Sequence, residues 1–263
     1  MKKIAVIGCG WLGSALANEL LKNNYEVHGT SRDIDKLVDL IDCGLVAHQL
    51  DYDNMDKPQE WLKTCDTLVL NIPPSGFRFL YAEKMVVIAK NLHPRAQLIF
   101  ISSTSVYADN DKTVTENTLA EGGKRNGNWV IDAEKALQQL FPQQLCIIRM
   151  SGLVGGKRHP VRYMSGKQYD FGGNPVNLIH RDDCVGIIQT CIEKDIRQKI
   201  INGVCDENPT RAAYYGFAAN ELGITPPVFE NLEARGYKQI DSIALKEIGY
   251  TMKYKSPFDF PLR

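Results

Sequence analysis

Short apolar, β-branched runs alternate with segments of helical periodicity through the first 150 residues. The runs predict strands at Lys3–Ile7, Tyr25–Gly29, Leu45–Leu50, Thr67–Leu70, Gln97–Ile101 and Gln144–Arg149. Between them, apolar residues recur at helical spacing, as in Leu12, Ala15, Leu16 and Leu20. Strands separated by helices form βαβ units, which build a parallel sheet with helices on both faces. We therefore expect an α/β fold with a doubly wound parallel sheet.

The pattern loosens after Arg149. Gly152–Gly173 is rich in Gly, Lys, Arg and Tyr without clean periodicity, and prolines punctuate the last sixty residues or so. A helix is predicted over Asp182–Glu193, with Asp182 or Asp183 as its N-cap. We expect a sheet domain over residues 1–150 and a small, irregular C-terminal substrate lobe over 151–263, with 176–203 returning to the sheet.

Composition removes several classes of function. The 263 residues carry 31 Lys and Arg against 31 Asp and Glu, which gives no electrostatic case for binding nucleic acid or a membrane surface. No apolar run approaches the roughly 18–20 residues that span a bilayer. The seven cysteines form no CxxC pair and have no histidine at zinc-ligand spacing, which predicts no metal site and reduced thiols in a cytoplasmic protein.

The segment Gly8-Cys9-Gly10-Trp11-Leu12-Gly13 is a GxGxxG motif directly after the first predicted strand. In that position Gly8 permits a tight turn, Gly10 lets backbone approach a pyrophosphate, and Gly13 allows close packing of helix on strand. The amides of Trp11 and Leu12 open the helix, whose N-terminus favours an anion. The motif predicts a Rossmann-type site for NAD or NADP.

The end of the second strand bears on which dinucleotide binds. An NAD site usually has an acid about 20 residues after the glycines to bond the ribose hydroxyls. Here the chain has Thr30, Ser31 and Arg32 instead, which suits a 2′-phosphate because a guanidinium makes charge-assisted hydrogen bonds to it. NADP(H) is therefore favoured over NAD(H). The alternative is that Asp33 reaches the ribose.

Residues after the third and fourth strands complete the predicted cofactor site. Asp51 is a candidate partner for the adenine amino group, or a turn cap. Asn71, Ile72 and Pro73 leave the carboxyl edge of the sheet, where the ligand crevice of such sheets lies. Asn71 is expected to bond ribose or pyrophosphate, with the prolines forming a rigid wall.

The fifth strand leads into Ser102-Ser103-Thr104-Ser105-Val106-Tyr107. This segment resembles the SSxxVY segment of the extended short-chain dehydrogenase/reductases, the NAD(P)-dependent epimerase/dehydratase group. Similar landmarks of that family are Arg149–Gly155, Ile179–Asp183 and Ile248–Tyr250. The resemblance implies that Ser102 lies at the cofactor and that Ser103 is the catalytic serine. Tyr107 is the nearest phenol, either an acid/base or a packed core residue.

Two departures point to an atypical branch of that family. Its usual glycine motif is GxxGxxG, and its catalytic helix carries YxxxK. Aligning Lys135 with that lysine puts Ile131 in the tyrosine slot, and aligning Glu134 with the glutamate that often follows the motif puts Asn126 and Val130 in the two slots. The YxxxK at Tyr163–Lys167 lies after the sixth strand, and we interpret it as a chance match.

A basic segment follows the sixth strand. Lys157, Arg158 and His159 stand where the resembled family lines its substrate pocket, and cations there suit a diphosphate or carboxylate, although such runs are often solvated loops. His180 is expected to orient backbone near the base of the C-terminal lobe. The lobe is short for a bulky nucleotide sugar.

These observations predict an NAD(P)(H)-dependent oxidoreductase or epimerase/dehydratase-like protein, monomeric or homodimeric, acting on a carbonyl or hydroxyl of a small anionic or sugar-derived substrate. The alternative is a non-catalytic NADP(H)-binding sensor, suggested by the missing Tyr–Lys pair. A dehydrogenase of the β-hydroxyacid or ketopantoate-reductase type also uses GxGxxG, but the glycine- and proline-broken tail argues against its long helical C-terminal domain.

Overall fold

The computed structural model describes residues 1–50, 55, 57, 59–122 and 127–262. In this part of the chain the strands are β1 (Lys3–Ile7), β2 (Glu26–Ser31), β3 (Val46–Gln49), β4 (Thr67–Leu70), β5 (Gln97–Ser103), β6 (Lys112–Val114), β7 (Leu145–Met150), β8 (Gly152–Val154), β9 (Gln168–Tyr169), β10 (Leu178–His180), β11 (Lys199–Gly203), β12 (Val228–Phe229) and β13 (Lys238–Ile240). Its α-helices are α1 (Trp11–Lys22), α2 (Ile34–Asp42), α3 (Tyr81–Ala89), α4 (Gly127–Leu140), α5 (Val161–Met164), α6 (Arg181–Glu193), α7 (Arg211–Glu221) and α8 (Ala244–Glu247).

The described residues form one seven-stranded sheet in the order β11-β7-β5-β4-β1-β2-β3. Each neighbouring pair is parallel. The strand order reverses between β1 and β4, so the loops that leave these two strands diverge and open a crevice at the carboxyl edge. The predicted doubly wound Rossmann sheet is confirmed.

Successive side chains of β1 alternate between the two faces of the sheet. Ile4 and Val6 belong to the apolar cluster under α1 and α6, whereas Ala5 and Ile7 belong to the cluster under α3 and α4. All four are fully buried. Full burial of an aliphatic side chain of this size contributes about 1.5–3 kcal/mol, so the strand is held from both sides.

The C-terminal part contributes to the main sheet and also builds small sheets of its own. β11 pairs with β7, with Ile200 opposite Ile147, and α6 packs on α1. Two-stranded parallel ladders join β8 to β10, β9 to β12 and β6 to β13.

The prediction that Asp182 or Asp183 caps the helix after β10 is wrong. His180 is the N-cap of α6, and its Nδ1 accepts a hydrogen bond from the Asp182 amide at 3.2 Å. Asp183 is fully buried and accepts from the Tyr250 hydroxyl at 2.8 Å and the Lys253 amide at 2.6 Å. Its carboxylate therefore ties the C-terminal segment to α6 instead of closing the helix end.

Candidate functional site

The glycine motif forms the turn between β1 and α1. Gly8 has a φ of +97°, and a Cβ added there would lie 2.6 Å from the Asn71 carbonyl oxygen. A Cβ at Gly13 would lie 2.2 Å from the Gly8 carbonyl oxygen, so α1 packs against the turn only because Gly13 lacks a side chain. A Cβ at Gly10 would meet nothing within 4 Å. Gly10 therefore presents open backbone toward the crevice, as an anion cradle requires.

Side chains from two neighbouring strands fix this turn. The Gly8 amide donates to Thr30 Oγ1 at 2.9 Å, and Thr30 is buried at the end of β2. Asn71 Nδ2 donates to the Gly8 carbonyl at 3.1 Å, while the Asn71 amide extends the ladder to the Ile7 carbonyl. The Asn71 side-chain amide is thus engaged in holding the turn, with its oxygen left for a ligand.

A groove of about 550 Å³, here called the outer cavity, runs from the glycine turn over the ends of β2 and β3. Its lining residues are Gly8, Cys9, Gly10, Thr30, Ser31, Arg32, Asp33, Lys36, Leu50, Asn71 and Pro73. The groove brings the predicted Ser31 and Arg32 together with the glycines. It also adds Lys36, a second cation from the first turn of α2 that sequence reasoning missed. Asp51 lies outside the described residues.

Asp33 has a structural task at the same place. It is the N-cap of α2, where its Oδ1 accepts from the Asp35 amide at 3.0 Å and the Lys36 amide at 3.4 Å. Ser31 Oγ accepts in turn from the Asp33 amide at 3.1 Å. The alternative in which Asp33 binds the ribose would have to use a carboxylate already occupied with the helix end.

A second space of about 300 Å³, the inner cavity, adjoins the first. Its lining residues are Gly10, Trp11, Leu12, Asn71, Ile72, Pro73, Pro74, Tyr81, Ile101, Ser102, Ser103, Val130, Leu153 and Arg158. Gly10, Asn71 and Pro73 line both cavities, so the glycine turn is the point where the two meet. Pro73 and Pro74 form its wall, and the buried Tyr81 hydroxyl supports that wall by donating to the Ile72 carbonyl at 2.8 Å.

The two serines at the end of β5 have different surroundings. Ser102 is buried and its hydroxyl donates to Glu134 Oε1. Ser103 is half-buried in the wall of the inner cavity, and its Oγ accepts from the Ser105 amide at 3.1 Å. That bond leaves the hydroxyl proton of Ser103 for a ligand, because an acceptor contact uses a lone pair only.

Tyr107 lies away from both cavities. It is fully buried; its hydroxyl donates to Asn202 Oδ1 at 2.8 Å and accepts from Arg149 Nη1 at 2.8 Å. Burial raises the pKa of this phenol, although the Arg149 guanidinium lowers it. Of the two alternatives for Tyr107, these contacts favour the packed core residue: its hydroxyl completes a buried network and lines neither cavity.

Helix α4, where the resembled family carries its Tyr–Lys pair, has other residues on the side that faces the site. Val130 lines the inner cavity, and Glu134 points inward to Arg149. Ile131, in the tyrosine slot, is a buried aliphatic residue, and Lys135, in the lysine slot, is exposed. These two positions therefore provide no Tyr–Lys pair. Asn126 lies outside the described residues.

The YxxxK sequence at Tyr163–Lys167 lies outside both cavities. Tyr163 sits on the short helix α5 with 78% of its surface exposed. Neither Tyr163 nor Lys167 lines the outer or the inner cavity.

The three basic residues after β8 have different surroundings. Arg158 lines the inner cavity and its guanidinium lies 5.0 Å from the Trp11 ring centre. Lys157 is exposed at the tip of the same turn and lines neither cavity. His159 is buried with 3% exposure; its Nδ1 accepts from the Val161 amide at 3.1 Å and its Nε2 lies 2.7 Å from the Tyr214 hydroxyl. This corrects the expectation that His159 contacts substrate, because both ring nitrogens bond within the lobe.

Within the described ranges there is no cluster of three or more His, Cys, Asp or Glu side chains that could hold a metal ion. All seven cysteines are free thiols, six of them buried. No helix among these residues is long and apolar enough to cross a membrane.

Comparison with curated proteins identifies the family. The chain is 32% identical over 277 aligned residues to Protein YeeZ of Escherichia coli (strain K12), and the match covers 100% of both proteins. The chain belongs to the YeeZ family. Residues 3–95 of this YeeZ-family protein also match the family described as NADP oxidoreductase, coenzyme F420-dependent.

Solved structures similar to this YeeZ-family protein share its fold over nearly the whole length. The human epimerase family protein SDR39U1 (isoform 2), solved with NADPH, matches with a TM-score of 0.72 at 17% identity, covering 97% of this chain and 96% of that one. UDP-glucuronic acid 4-epimerase from Bacillus cereus, solved with NAD, matches with a TM-score of 0.77 at 20% identity, covering 98% and 95%. These structures confirm the Rossmann-type fold that the resemblance to the extended short-chain dehydrogenase/reductases implies.

Proposed function

We propose that this YeeZ-family protein binds NADP(H) along the two cavities and is an oxidoreductase or epimerase of the atypical short-chain dehydrogenase type. The observation that carries the proposal is the meeting of the outer and inner cavities at Gly10, Asn71 and Pro73. An elongated dinucleotide needs one continuous groove across the glycine turn, with its pyrophosphate at the turn. The open space at Gly10 fits that requirement.

The residues that line the outer cavity favour a phosphorylated ribose, as in NADP(H). Arg32 and Lys36 line it beside Ser31, which supplies two cations and a hydroxyl at the predicted 2′ position. A guanidinium and a hydroxyl hold a phosphate by charge-assisted hydrogen bonds, whereas NAD has only a hydroxyl to offer there. The engagement of Asp33 in capping α2 supports the same preference.

The inner cavity supports the reaction. A bound nicotinamide would supply hydride transfer to or from a substrate carbon. Ser103 is placed to donate a hydrogen bond to a substrate carbonyl or hydroxyl from the wall of this cavity, and Arg158 to hold an anionic group. We propose a small substrate because the cavity measures only about 300 Å³.

Calorimetric titration with NADPH and NADH tests the cofactor assignment. NADPH should bind more tightly than NADH, and Arg32→Ala should weaken NADPH about 10- to 100-fold while leaving NADH unchanged, because one charge-assisted hydrogen bond is worth about 1.5–3 kcal/mol. Arg235→Ala, at an exposed position lining neither cavity, is the matched control. Unchanged NADPH affinity in Arg32→Ala would overturn the preference.

A turnover assay separates the enzyme from the sensor. NADPH oxidation is followed with a panel of small carbonyl compounds, both neutral and carboxylate- or phosphate-bearing. Turnover that depends on Ser103 is expected. Tight NADPH binding with no turnover across the panel would favour the non-catalytic sensor instead.

A further inference from the structure

Two arginines from different elements lie on the indole ring of Trp11. The guanidinium carbon of Arg158, from the turn after β8, is 5.0 Å from the ring centre. The guanidinium carbon of Arg181, the first residue of α6, is 5.3 Å from it. Among the described residues neither arginine has a carboxylate within ion-pair distance; Asp182 next to Arg181 pairs with Lys253 at 2.6 Å instead. Both positive charges are thus attracted to the same aromatic ring.

The backbone around this group, the Trp11 cluster (Trp11, Arg158 and Arg181), is rigid. The turn that carries Arg158 is closed by two hydrogen bonds, from the Gly155 amide to the Arg158 carbonyl at 3.0 Å and from the Arg158 amide to the Gly155 carbonyl at 3.1 Å. A Cβ at Gly155 would lie 3.1 Å from His180 Nε2 and 3.4 Å from Trp11 Cζ2. The turn therefore sits directly on the indole ring and on the N-cap of α6.

The cluster borders the inner cavity through Trp11 and Arg158, whereas Arg181 reaches the cluster through the Trp11 ring. Ser103 also lines this cavity, and no acidic side chain is among its lining residues. The Glu134 carboxylate, which accepts from the cavity-lining Ser102, is paired with Arg149. Arg158 is exposed and Arg181 is half-buried, so an oxyanion beside the Trp11 ring would be attracted by two positive charges.

We infer that Arg158 and Arg181, held on Trp11, form a subsite for an oxyanion, the carboxylate or phosphate group of the substrate, beside Ser103. The inference rests on the proposed function, since it names the class of substrate that the inner cavity takes. Guanidiniums suit this task because they bind planar or tetrahedral oxyanions through two donors at once. The same chemistry occurs in the cofactor pyrophosphate, so the experiment must distinguish the two sources.

Tryptophan fluorescence provides a readout independent of turnover. The chain has three tryptophans, and the Trp61→Phe/Trp129→Phe variant leaves Trp11 as the only one. This variant, saturated with NADPH, is titrated with inorganic phosphate, pyrophosphate and malonate against sodium chloride of equal ionic strength. A saturable change in Trp11 emission with the oxyanions, absent with chloride, is expected. Calorimetric titration of the same anions into the unmodified chain repeats the test without replacing a tryptophan.

Arginine variants then assign the binding. Arg158→Gln and Arg181→Gln should each weaken oxyanion binding at least 10-fold, with thermal unfolding close to that of the parent, and Arg158→Lys should retain part of the affinity. Arg211→Gln is the matched control, because Arg211 also lies on aromatic rings, those of Tyr169 and Phe229, outside both cavities. No saturable binding, or binding unaffected by the arginine variants, would overturn the inference.

NADPH affinity distinguishes the sources of the anion. If Arg158→Gln and Arg181→Gln weaken NADPH by the same factor as phosphate, the bound group is the cofactor pyrophosphate and the substrate subsite is refuted. If NADPH affinity is unchanged, the substrate assignment is supported. Should the unmodified chain bind no NADPH, the proposed function fails, and the anion titrations repeated without cofactor still decide whether the subsite exists.

Discussion

Arg149 donates two hydrogen bonds to the Glu134 carboxylate, from Nε to Oε1 at 3.0 Å and from Nη2 to Oε2 at 2.6 Å. Both side chains are buried, with 4% and 2% exposure. Ser102 and Tyr107 bond to the same pair, so one ion pair joins β5, α4 and β7 behind the inner cavity. This network holds Ser102 while its neighbour Ser103 faces the site.

Breaking that pair should destabilise the fold. Glu134→Gln leaves the Arg149 charge buried without a counter-charge, which typically costs about 3–5 kcal/mol. Urea unfolding measures the loss. Glu60→Gln removes the carboxylate of an exposed pair with Lys63 and should change the free energy of unfolding by less than about 1 kcal/mol. Equal effects of the two variants would contradict the role given to Glu134.

Alanine at two glycines of the turn should separate binding from folding. Gly10→Ala places a methyl in open space at the mouth of the groove, so stability should stay near that of the parent while NADPH affinity falls at least 10-fold. Gly13→Ala forces a carbon to within 2.2 Å of the Gly8 carbonyl oxygen unless α1 moves, so thermal stability should fall as well. Calorimetry and thermal unfolding measure both. Undiminished NADPH binding by Gly10→Ala would show that no pyrophosphate lies at this turn.

Replacing Ser103 should affect turnover and spare cofactor affinity. Ser103→Ala removes a hydroxyl facing the inner cavity, and we expect kcat to fall about 10- to 100-fold, the order of magnitude of one lost catalytic hydrogen-bond donor or proton-transfer partner. The dissociation constant for NADPH should be unchanged. Ser103→Thr keeps the hydroxyl and should recover much of the rate. A Ser103→Ala protein with full activity would exclude Ser103 from the reaction.

His159 should make stability depend on pH. Burial, with a smaller effect of Arg162, lowers the pKa of His159 to about 4 in the folded chain, against an ordinary value near 6.5 when unfolded. As the pH falls below 6.5 the unfolded chain takes up this proton first, so the free energy of unfolding declines between pH 6.5 and 4, by up to about 3 kcal/mol. The contribution is fully present above pH 6.5.

Urea unfolding at pH 7.5, 5.5 and 4.5 measures this dependence. His159→Asn keeps an acceptor for the Val161 amide and cannot titrate, so its stability should vary less over the same range. Identical pH profiles for parent and variant would contradict a buried, neutral His159.

Local sequence patterns predicted most of the fold. The bounds of β1 and β4 follow from their apolar runs alone, and the remaining predicted strands agree to within one or two residues. The short β6 was not predicted, and β5 continues two residues beyond its predicted end, through Ser103. Its last residues pair with Arg149 and Met150 of β7, a contact that no local propensity of serine would indicate.

In the candidate site, too, some residues could be predicted from local spacing and others could not. Gly8 and Gly13 have the geometry that their spacing predicts, because a turn between a strand and a helix is built from consecutive residues. Tyr107 is held in the core by Asn202, 95 residues away in the chain. His159 is held there by Tyr214, 55 residues away. A polar side chain is drawn into the core where distant donors and acceptors satisfy it, and sequence spacing does not report that.

The sequence by itself determined the class of the protein: a parallel sheet, a dinucleotide turn after its first strand and a missing Tyr–Lys pair. These are consequences of periodicity and of residue types a few positions apart. Only the tertiary structure decided which cations come together. Arg158 and Arg181 are 23 positions apart in the chain, and they meet on Trp11 because β8, α6 and α1 converge at one end of the sheet.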